Sequence, residues 1–371
     1  MELNQFNAIK YLGSGHFSTV YEVIFNREDD QSRSYALKRI YLRNTTTVIG
    51  ALHEQHILRR LAVSDTQSPF LQTLYCSFFH ENSPILILDK ASGFLLSNVI
   101  EYFSPLNEKD AIFYSSEIIS GLTYLHGMGI VHMDIKPNNI LLSETGHAII
   151  TDFDCAFDLT HNMALPTDKD FRGTLYYMAP EVARSSCIRF ESDTWAVGAV
   201  MACLLADGYR PEATDKEALL KQAREGQWEV PGFWNFSEPV QTFLQSCFAY
   251  DPVDRPTPIK MKDFKIFRNI NWDPNELLRR SPPHQPCEMQ QRKENAKLPF
   301  DPTCEAILKT INWKEKPKLP AYLEYCTIQP DLSKLGTIAA DFDDLMRSGL
   351  TPEIIGELFK NFEFVNEKWS S

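Results

Sequence analysis

The chain has 371 residues, 43% hydrophobic and 23% charged, the composition of an ordinary globular protein long enough for two domains or one two-lobed domain with a tail. Its formal net charge of −12 argues against a nucleic-acid partner, because no basic arm offsets it. The start "MELNQFNAIKYLGSG" has no apolar core behind a basic end, and no run of 18 apolar residues occurs, so neither a signal peptide nor membrane insertion is expected. The eight cysteines (76, 155, 187, 203, 247, 287, 304 and 326) form no CxxC pair, which leaves no zinc spacing and points to a reduced compartment, the cytoplasm, with the nucleus left open.

In chain order, "FSTVYEVIF" (17–25) and "SYALKRIYL" (34–42) have strand composition around a polar turn. "VIGALHEQHILRRL" (48–61) carries apolar residues at helical spacing. "FLQTLYCSFF" (70–79) and "PILILDK" (84–90) return to strand, so the first ninety residues predict a small sheet with one helix. Helices dominate from about Leu95. Residues 107–129 begin at an asparagine cap and end at glycines, and 190–208 are apolar nearly all round, as a buried central helix would be. Eight of the 22 prolines fall in residues 281–330, which reads as an extended tail wrapped on a domain or a partly disordered one.

The chemistry-bearing residues lie along the chain in the same order. "GSGHFSTV" (13–20) is a glycine turn between two predicted strands, where Gly13 and Gly15 let backbone N–H groups approach phosphate oxygens; a lone GxG is more commonly just a tight hairpin. Lys38 lies on the next strand, able to reach an α- or β-phosphate, and Glu54 in the predicted helix is placed to hold that ammonium. Taken singly, both would read as solvated charges. "IVHMDIKPNNILL" (130–142) packs Asp134, Lys136 and Asn139 into a short loop: a carboxylate to accept a hydroxyl proton, an ammonium to neutralise a moving phosphoryl group, and an amide to bind a metal ion. Asp152 offers Mg²⁺ a carboxylate after a short hairpin. In "MAPE", "SDTWAVG" and "DPVDRPT" a structural reading is preferred, with Glu181 and Arg255 as a buried ion pair and Asp193 as an anchor of the 130–142 loop.

In this order the motifs resemble those of the eukaryotic protein kinases, from residue 8 to about 267. The resemblance implies an α+β, two-lobed fold: a small, mostly β N-lobe with one helix (about 8–91) and a larger helical C-lobe (about 92–267), with ATP between them and Mg²⁺ as its companion. It implies ATP binding by Leu12, Gly13, Ser14, Gly15, His16, Phe17, Ser18, Val20, Ala36 and Lys38, the third loop glycine being Ser18 here. The "KPNN" loop favours Ser/Thr over Tyr. "FKIFRNINWDPNELLRRSPPHQP" (264–286) is similar to the start of an AGC-type C-terminal tail, here 268–371. "GSGHFSTVYEV" and "WKEKPKLPAYL" (313–323) are similar to the phosphoinositide-dependent protein kinase branch, with other kinases as substrates by analogy. Residues 281–371 lack the run of strands that the lipid-binding PH domain of that branch needs.

Several positions depart from the family pattern. The arginine that grips an activation-loop phosphate is Met133, and the phosphoacceptor before F-x-G-T is Asp170, so activity independent of loop phosphorylation is expected. Acids that read substrate arginines are replaced by Asn138 and Phe94, predicting weak preference for basic peptides. Asp154 stands where the metal-binding signature has glycine, restricting the backbone without removing a chemical group. An active kinase is therefore preferred over a pseudokinase scaffold that binds ATP or partners. In "LFKNFEFVN" (358–366), Phe359, Phe362 and Phe364 fit the tail's F-x-x-F-x-F motif, which would dock beside the 48–61 helix; an amphipathic helix end packing locally fits equally well.

Overall fold

The computed structural model describes residues 1–15, 17–26, 33–80, 83–160, 171–206, 215–295 and 350–367. The chain divides into two compact units, Met1–Asp65 with Thr73–Gly93 and Glu294–Ser371, and Thr66–Gln72 with Phe94–Lys293.

The first unit opens with β1 (Phe6–Ser14), β2 (Ser18–Phe25) and β3 (Ser34–Ile40). Strict alternation in β2 buries Thr19, Tyr21, Val23 and Phe25 on one face, the period of a strand with one covered side. Helix α1 (Thr45–Ala62) starts where Asn44 accepts the Thr47 amide at 3.0 Å and Thr47 Oγ1 accepts the Asn44 amide at 3.1 Å. Its buried residues, among them Val48, Ala51, Glu54, Leu58 and Leu61, recur every three or four positions. β4 (Leu74–His80) and β5 (Ser83–Asp89) complete the hairpin. The sheet order is β1-β2-β3-β5-β4, and one more strand from the far end of the chain joins at β4.

The 70–79 stretch does not form one strand. β4 begins only at Leu74, because residues 70–72 bond elsewhere: Phe70 accepts the Ile150 amide at 2.8 Å and Ile150 accepts the Gln72 amide at 3.0 Å. Those bonds place Phe70 to Gln72 in the second unit.

The second unit contains α2 (Leu96–Phe103), α3 (Glu108–Gly127, capped by Asn107), β6 (Ile130–Val131), β7 (Ile140–Leu142), β8 (Ala148–Ile150) and β9 (Phe157–Asp158). The helices α4 (Pro180–Ala183), α5 (Phe190–Leu205), α6 (Lys216–Glu225), α7 (Glu238–Cys247) and α8 (Pro258–Met261) come next. Every residue of α5 from Ser192 to Leu205 is buried, as its all-round apolar sequence requires.

The proline-rich stretch is not all extended. After α9 (Pro274–Arg279) comes α10 (Pro286–Asn295), whose first position suits proline because that N–H would go unbonded anyway. Met289 is fully buried, the His284 ring lies 4.3 Å from that of Phe103, and the Arg292 guanidinium lies over the same ring at 4.2 Å.

The described chain resumes with α11 (Pro352–Leu358), capped by Thr351, and β10 (Phe364–Val365), which adds antiparallel to β4 in the first unit with Phe364 opposite Ser77 and Val365 opposite Cys76. The architecture is the kinase fold: an N-terminal sheet with one helix, then a helical region. Among the described residues no disulfide forms and no helix is long and apolar enough to cross a membrane.

Candidate active site

In the first unit, strand register sets a row of side chains across the sheet. Gly13 lies opposite Val20, Val20 opposite Lys38, and Lys38 opposite Leu86, so these four share one face. Ala36, two residues before Lys38 and buried, is on that face too. Lys38 Nζ meets Glu54 Oε1 at 2.6 Å and Oε2 at 2.9 Å, with the side chains 12% and 3% exposed. Two charge-assisted bonds fix the ammonium in place at a position largely closed to water.

Gly15 donates its amide to the Ser18 carbonyl at 3.0 Å, closing the turn between β1 and β2. A Cβ on Gly13 would meet nothing within 4 Å among the described residues, and its φ is not in the left-handed region. The protein itself therefore does not demand glycine at 13, whereas a phosphate laid against the backbone would. Leu12, Ser14, Phe17, Ser18 and Val20 are partly or fully exposed around this turn. His16 lies outside the described residues, as does Asp170.

In the second unit, the loop after β6 is held from below by α5. Asp193 accepts the His132 amide at 2.8 Å and the Met133 amide at 2.9 Å, and its Oδ2 lies 2.8 Å from His126 Nε2. These bonds hold Met133 at a φ of 68°, a left-handed conformation that costs an L-residue about 1–2 kcal/mol. Held so, Met133 is buried in an apolar cluster with Val131, Phe157, Met178, Val182 and Trp195. The position that would carry a phosphate-gripping arginine is thus filled by packing.

Asp134 gathers the loop around itself. Its Oδ2 accepts Lys136 Nζ at 2.7 Å and Asn139 Nδ2 at 2.9 Å, and its Oδ1 accepts the Thr174 amide at 2.7 Å. Lys136 Nζ also donates to Thr174 Oγ1 at 2.7 Å. Burial pulls the Lys136 ammonium down, but the Asp134 charge and hydrogen bond, with Asp152 and Cys155 beyond, leave it above the usual lysine value. Lys136 therefore stays protonated.

Asn139 Nδ2 donates a second bond to Asp134, to its backbone carbonyl at 3.0 Å, so the amide nitrogen faces Asp134 and the amide oxygen is turned away from it. The Asn139 backbone carbonyl accepts the Thr151 amide at 3.0 Å, tying the loop to the residue before Asp152. Asp152 sits at φ 67° and ψ 70°, and Phe153 behind it is fully buried, its ring 5.1 Å from that of His132. One carboxylate and one amide oxygen are few protein donors for a cation. That sparseness suits Mg²⁺, which keeps waters and completes its shell with phosphate oxygens.

Asp154 is the second residue of a 3-10 turn, Phe153–Cys155, and its φ is not positive. The backbone at this departure needs no glycine. Phe94 is buried and its carbonyl accepts the Leu142 amide at 2.9 Å, so that position cannot present a group to a substrate; Asn138 is exposed. Glu181 and Arg255 form a buried two-bond pair, each bond 2.8 Å, with Arg255 lying over the Trp195 ring.

In the tail, Phe359 and Phe362 are buried in the first unit, the Phe359 ring stacked on Phe79 at 4.8 Å. Gln55 Nε2 and Ser77 Oγ both donate to the Phe362 carbonyl, and Arg59 lies over the Phe364 ring. Sequence reasoning passed over Thr174, although it stands in the quoted F-x-G-T pattern, and Asn366, which donates to the Tyr75 and Leu74 carbonyls from a buried position.

The family signature described as protein kinase domain matches residues 6–267. Ribosomal protein S6 kinase 2 alpha of Xenopus laevis is 30% identical over 299 residues, covering 77% of this chain and 39% of that protein. Ribosomal protein S6 kinase alpha-1 of Homo sapiens is 30% identical over 297 residues, with the same two coverages of 77% and 39%. A probable serine/threonine-protein kinase of Dictyostelium discoideum is 30% identical over 290 residues, 75% of this chain and 60% of that protein. The chain spans less than two thirds of each of these relatives. With the fold, the Lys38–Glu54 pair and the loop built on Asp134 agreeing with the signature, the chain belongs to the protein kinase family.

Proposed function

We propose that this protein is an active serine/threonine kinase that transfers the γ-phosphate of ATP to protein hydroxyl groups, an AGC-type enzyme related to the phosphoinositide-dependent branch. The observation that carries the reading is the Asp134 carboxylate, which receives Lys136, Asn139 and the Thr174 amide at 2.7 to 2.9 Å. Asp134 accepts the proton of the incoming hydroxyl, and protonated Lys136 offsets charge on the moving phosphoryl group. Lys38, fixed by Glu54, reaches an α- or β-phosphate. Asn139 and Asp152 would hold Mg²⁺, which neutralises phosphate charge when bound.

Packing of Met133 among apolar side chains supports activity without a phosphate on the activation loop, since no arginine waits there to receive one. Buried Phe94 and neutral Asn138 support weak selection for arginine-rich peptides. Other kinases as substrates, a cytoplasmic location and the tail from residue 268 as a regulatory segment belong to the same proposal. The alternative, a pseudokinase scaffold, draws only on Asp154, where the backbone conformation removes the need for glycine.

Transfer of radiolabelled γ-phosphate to a mixed protein substrate, with Mg²⁺ and with Asp134→Asn as control, tests the reading. Loss of a catalytic base should lower the rate by about 10²–10⁴-fold. Equal incorporation by the two proteins would overturn the enzyme assignment in favour of the scaffold.

A further inference from the structure

Two features of the Asp152 turn call for a restraint. Asp152 holds a left-handed backbone, and the 3-10 turn after it, closed by the Ala156 amide on the Phe153 carbonyl at 3.1 Å, is only three residues long. On its N-terminal side the turn is tied down by Thr151 bonding to Asn139 and by the buried Phe153 ring. On its C-terminal side β9 pairs with β6, and a further tie reaches the turn itself from eighteen positions beyond Asp154: the Arg172 guanidinium donates to the Asp154 backbone carbonyl.

Arg172 begins a three-residue strap. Gly173 is next, at φ 143°, where an added Cβ would meet the Met133 carbonyl oxygen at 2.7 Å, so the strap can cross the loop only as glycine. Thr174 then receives Lys136 on its hydroxyl and gives its amide to Asp134. One end of the strap is therefore bonded to the turn that carries Asp152, and the other to Asp134 and Lys136. The geometry points to Arg172 as a positioning residue for phosphoryl transfer: by clamping the Asp154 carbonyl it fixes the Asp152 turn against the Asp134 loop, and so sets how tightly Mg²⁺-bound nucleotide is held. Arg172 acts through Asp152 and touches no reacting atom. The clamp also accounts for the aspartate at 154 in a second way: glycine's freedom is unnecessary in a turn that is held from outside. This inference rests on the reading of Asp152 as a Mg²⁺ ligand.

The test compares Arg172→Ala and Arg172→Lys with the unaltered full chain by two measurements. The first is backbone amide hydrogen exchange of residues 151–157 in nucleotide-free protein, with α5 as internal reference. The second is calorimetric binding of ADP with Mg²⁺ and with EDTA. Losing a hydrogen bond from a charged donor should speed exchange at 151–157 and weaken Mg²⁺-ADP binding by about tenfold each in the alanine variant. Exchange in α5 and ADP binding in EDTA should stay within about twofold, and lysine, which keeps a charged donor, should recover most of both effects. Unchanged exchange at 151–157, or equal weakening with Mg²⁺ and with EDTA, would overturn the assignment. Should the alanine variant not fold, Arg172→Met, which keeps an unbranched side chain but has no donor, decides in its place: a metal-dependent loss of affinity of about tenfold supports the clamp, and no loss overturns it. The exchange measurement needs no catalysis. A chain that transfers no phosphate but shows the expected exchange loses its proposed activity and keeps its clamp.

Discussion

Gln55 Nε2 donates to the carbonyl oxygen of Phe362 at 3.1 Å, and Ser77 Oγ donates to that same oxygen at 2.6 Å. Gln55 adjoins Glu54 on α1, so the helix that fixes Lys38 also holds the tail. Truncating Phe362 to alanine removes a ring that is almost wholly buried, at a cost of about 3–5 kcal/mol. Chemical denaturation should show that loss, and the KM for ATP should rise as the Lys38–Glu54 pair loosens. A midpoint and KM equal to those of the parent would mean the tail merely rests on the sheet.

Glu54→Gln keeps the shape of the side chain but removes one charge of the Lys38–Glu54 pair in a site that is nearly dry. Breaking such a pair from one side costs about 3–5 kcal/mol. Urea unfolding measures it; a change below about 1 kcal/mol, the worth of an exposed pair, would show that water reaches the site.

Met133→Arg restores the residue type usual in the family, and should nonetheless harm this protein. The side chain lies in a cluster with Met178, Val182 and Trp195, where an arginine would be buried among apolar groups. We expect a loss of about 3 kcal/mol or more, and no gain in phosphate transfer. Met133→Leu, which nearly conserves volume, should cost less than about 1.5 kcal/mol. Thermal unfolding of the two variants orders them, and an arginine variant as stable as the parent would refute the packing argument.

Burial pushes the Cys76 thiol up to about 12, whereas Cys287 is exposed on α10. Iodoacetamide at mildly alkaline pH should label Cys287 and spare Cys76 until the protein unfolds. The sign of the linked stability comes from the raised value. Above the ordinary thiol pKa of about 8.5 the unfolded chain loses this proton and the folded one keeps it, so the Cys76 contribution to stability is full below that pH and falls as pH rises toward about 12. Mass spectrometry of labelled peptides checks the first statement, and unfolding at two alkaline pH values checks the second.

Most of the parts of the Lys38–Glu54 pair and, separately, of the loop around Asp134 were legible in the sequence because they lie in local patterns. Lys38 belongs to a stretch of strand composition, Glu54 to a helical spacing, and Asp134 to Asn139 to a six-residue loop. Residues whose partners lie far along the chain were not. Phe70 to Gln72 precede β4 with no break in strand-like composition, and only their bonds to Ile150 assign them to the other unit. Met133 and Asp154 look like losses when read singly. Asp193 sixty residues later gives the first its backbone, and Arg172 ties down the second. α10 was hidden by prolines, one of which starts it.

The strand β10 has a bearing on how the protein is made. Ser77 and Phe362, which it brings together, are 285 residues apart. At a synthesis rate of about 5–20 residues per second, β4 waits on the order of 15–60 s on the ribosome before its last neighbour emerges. For that interval the nascent sheet carries an open edge of unpaired N–H and C=O groups, the template on which newly made chains associate wrongly. Closing it also carries the entropic cost of a very long loop, so this pairing is among the last steps of folding. Anything that shields nascent β4 during that interval would protect the yield of this protein without changing its final stability.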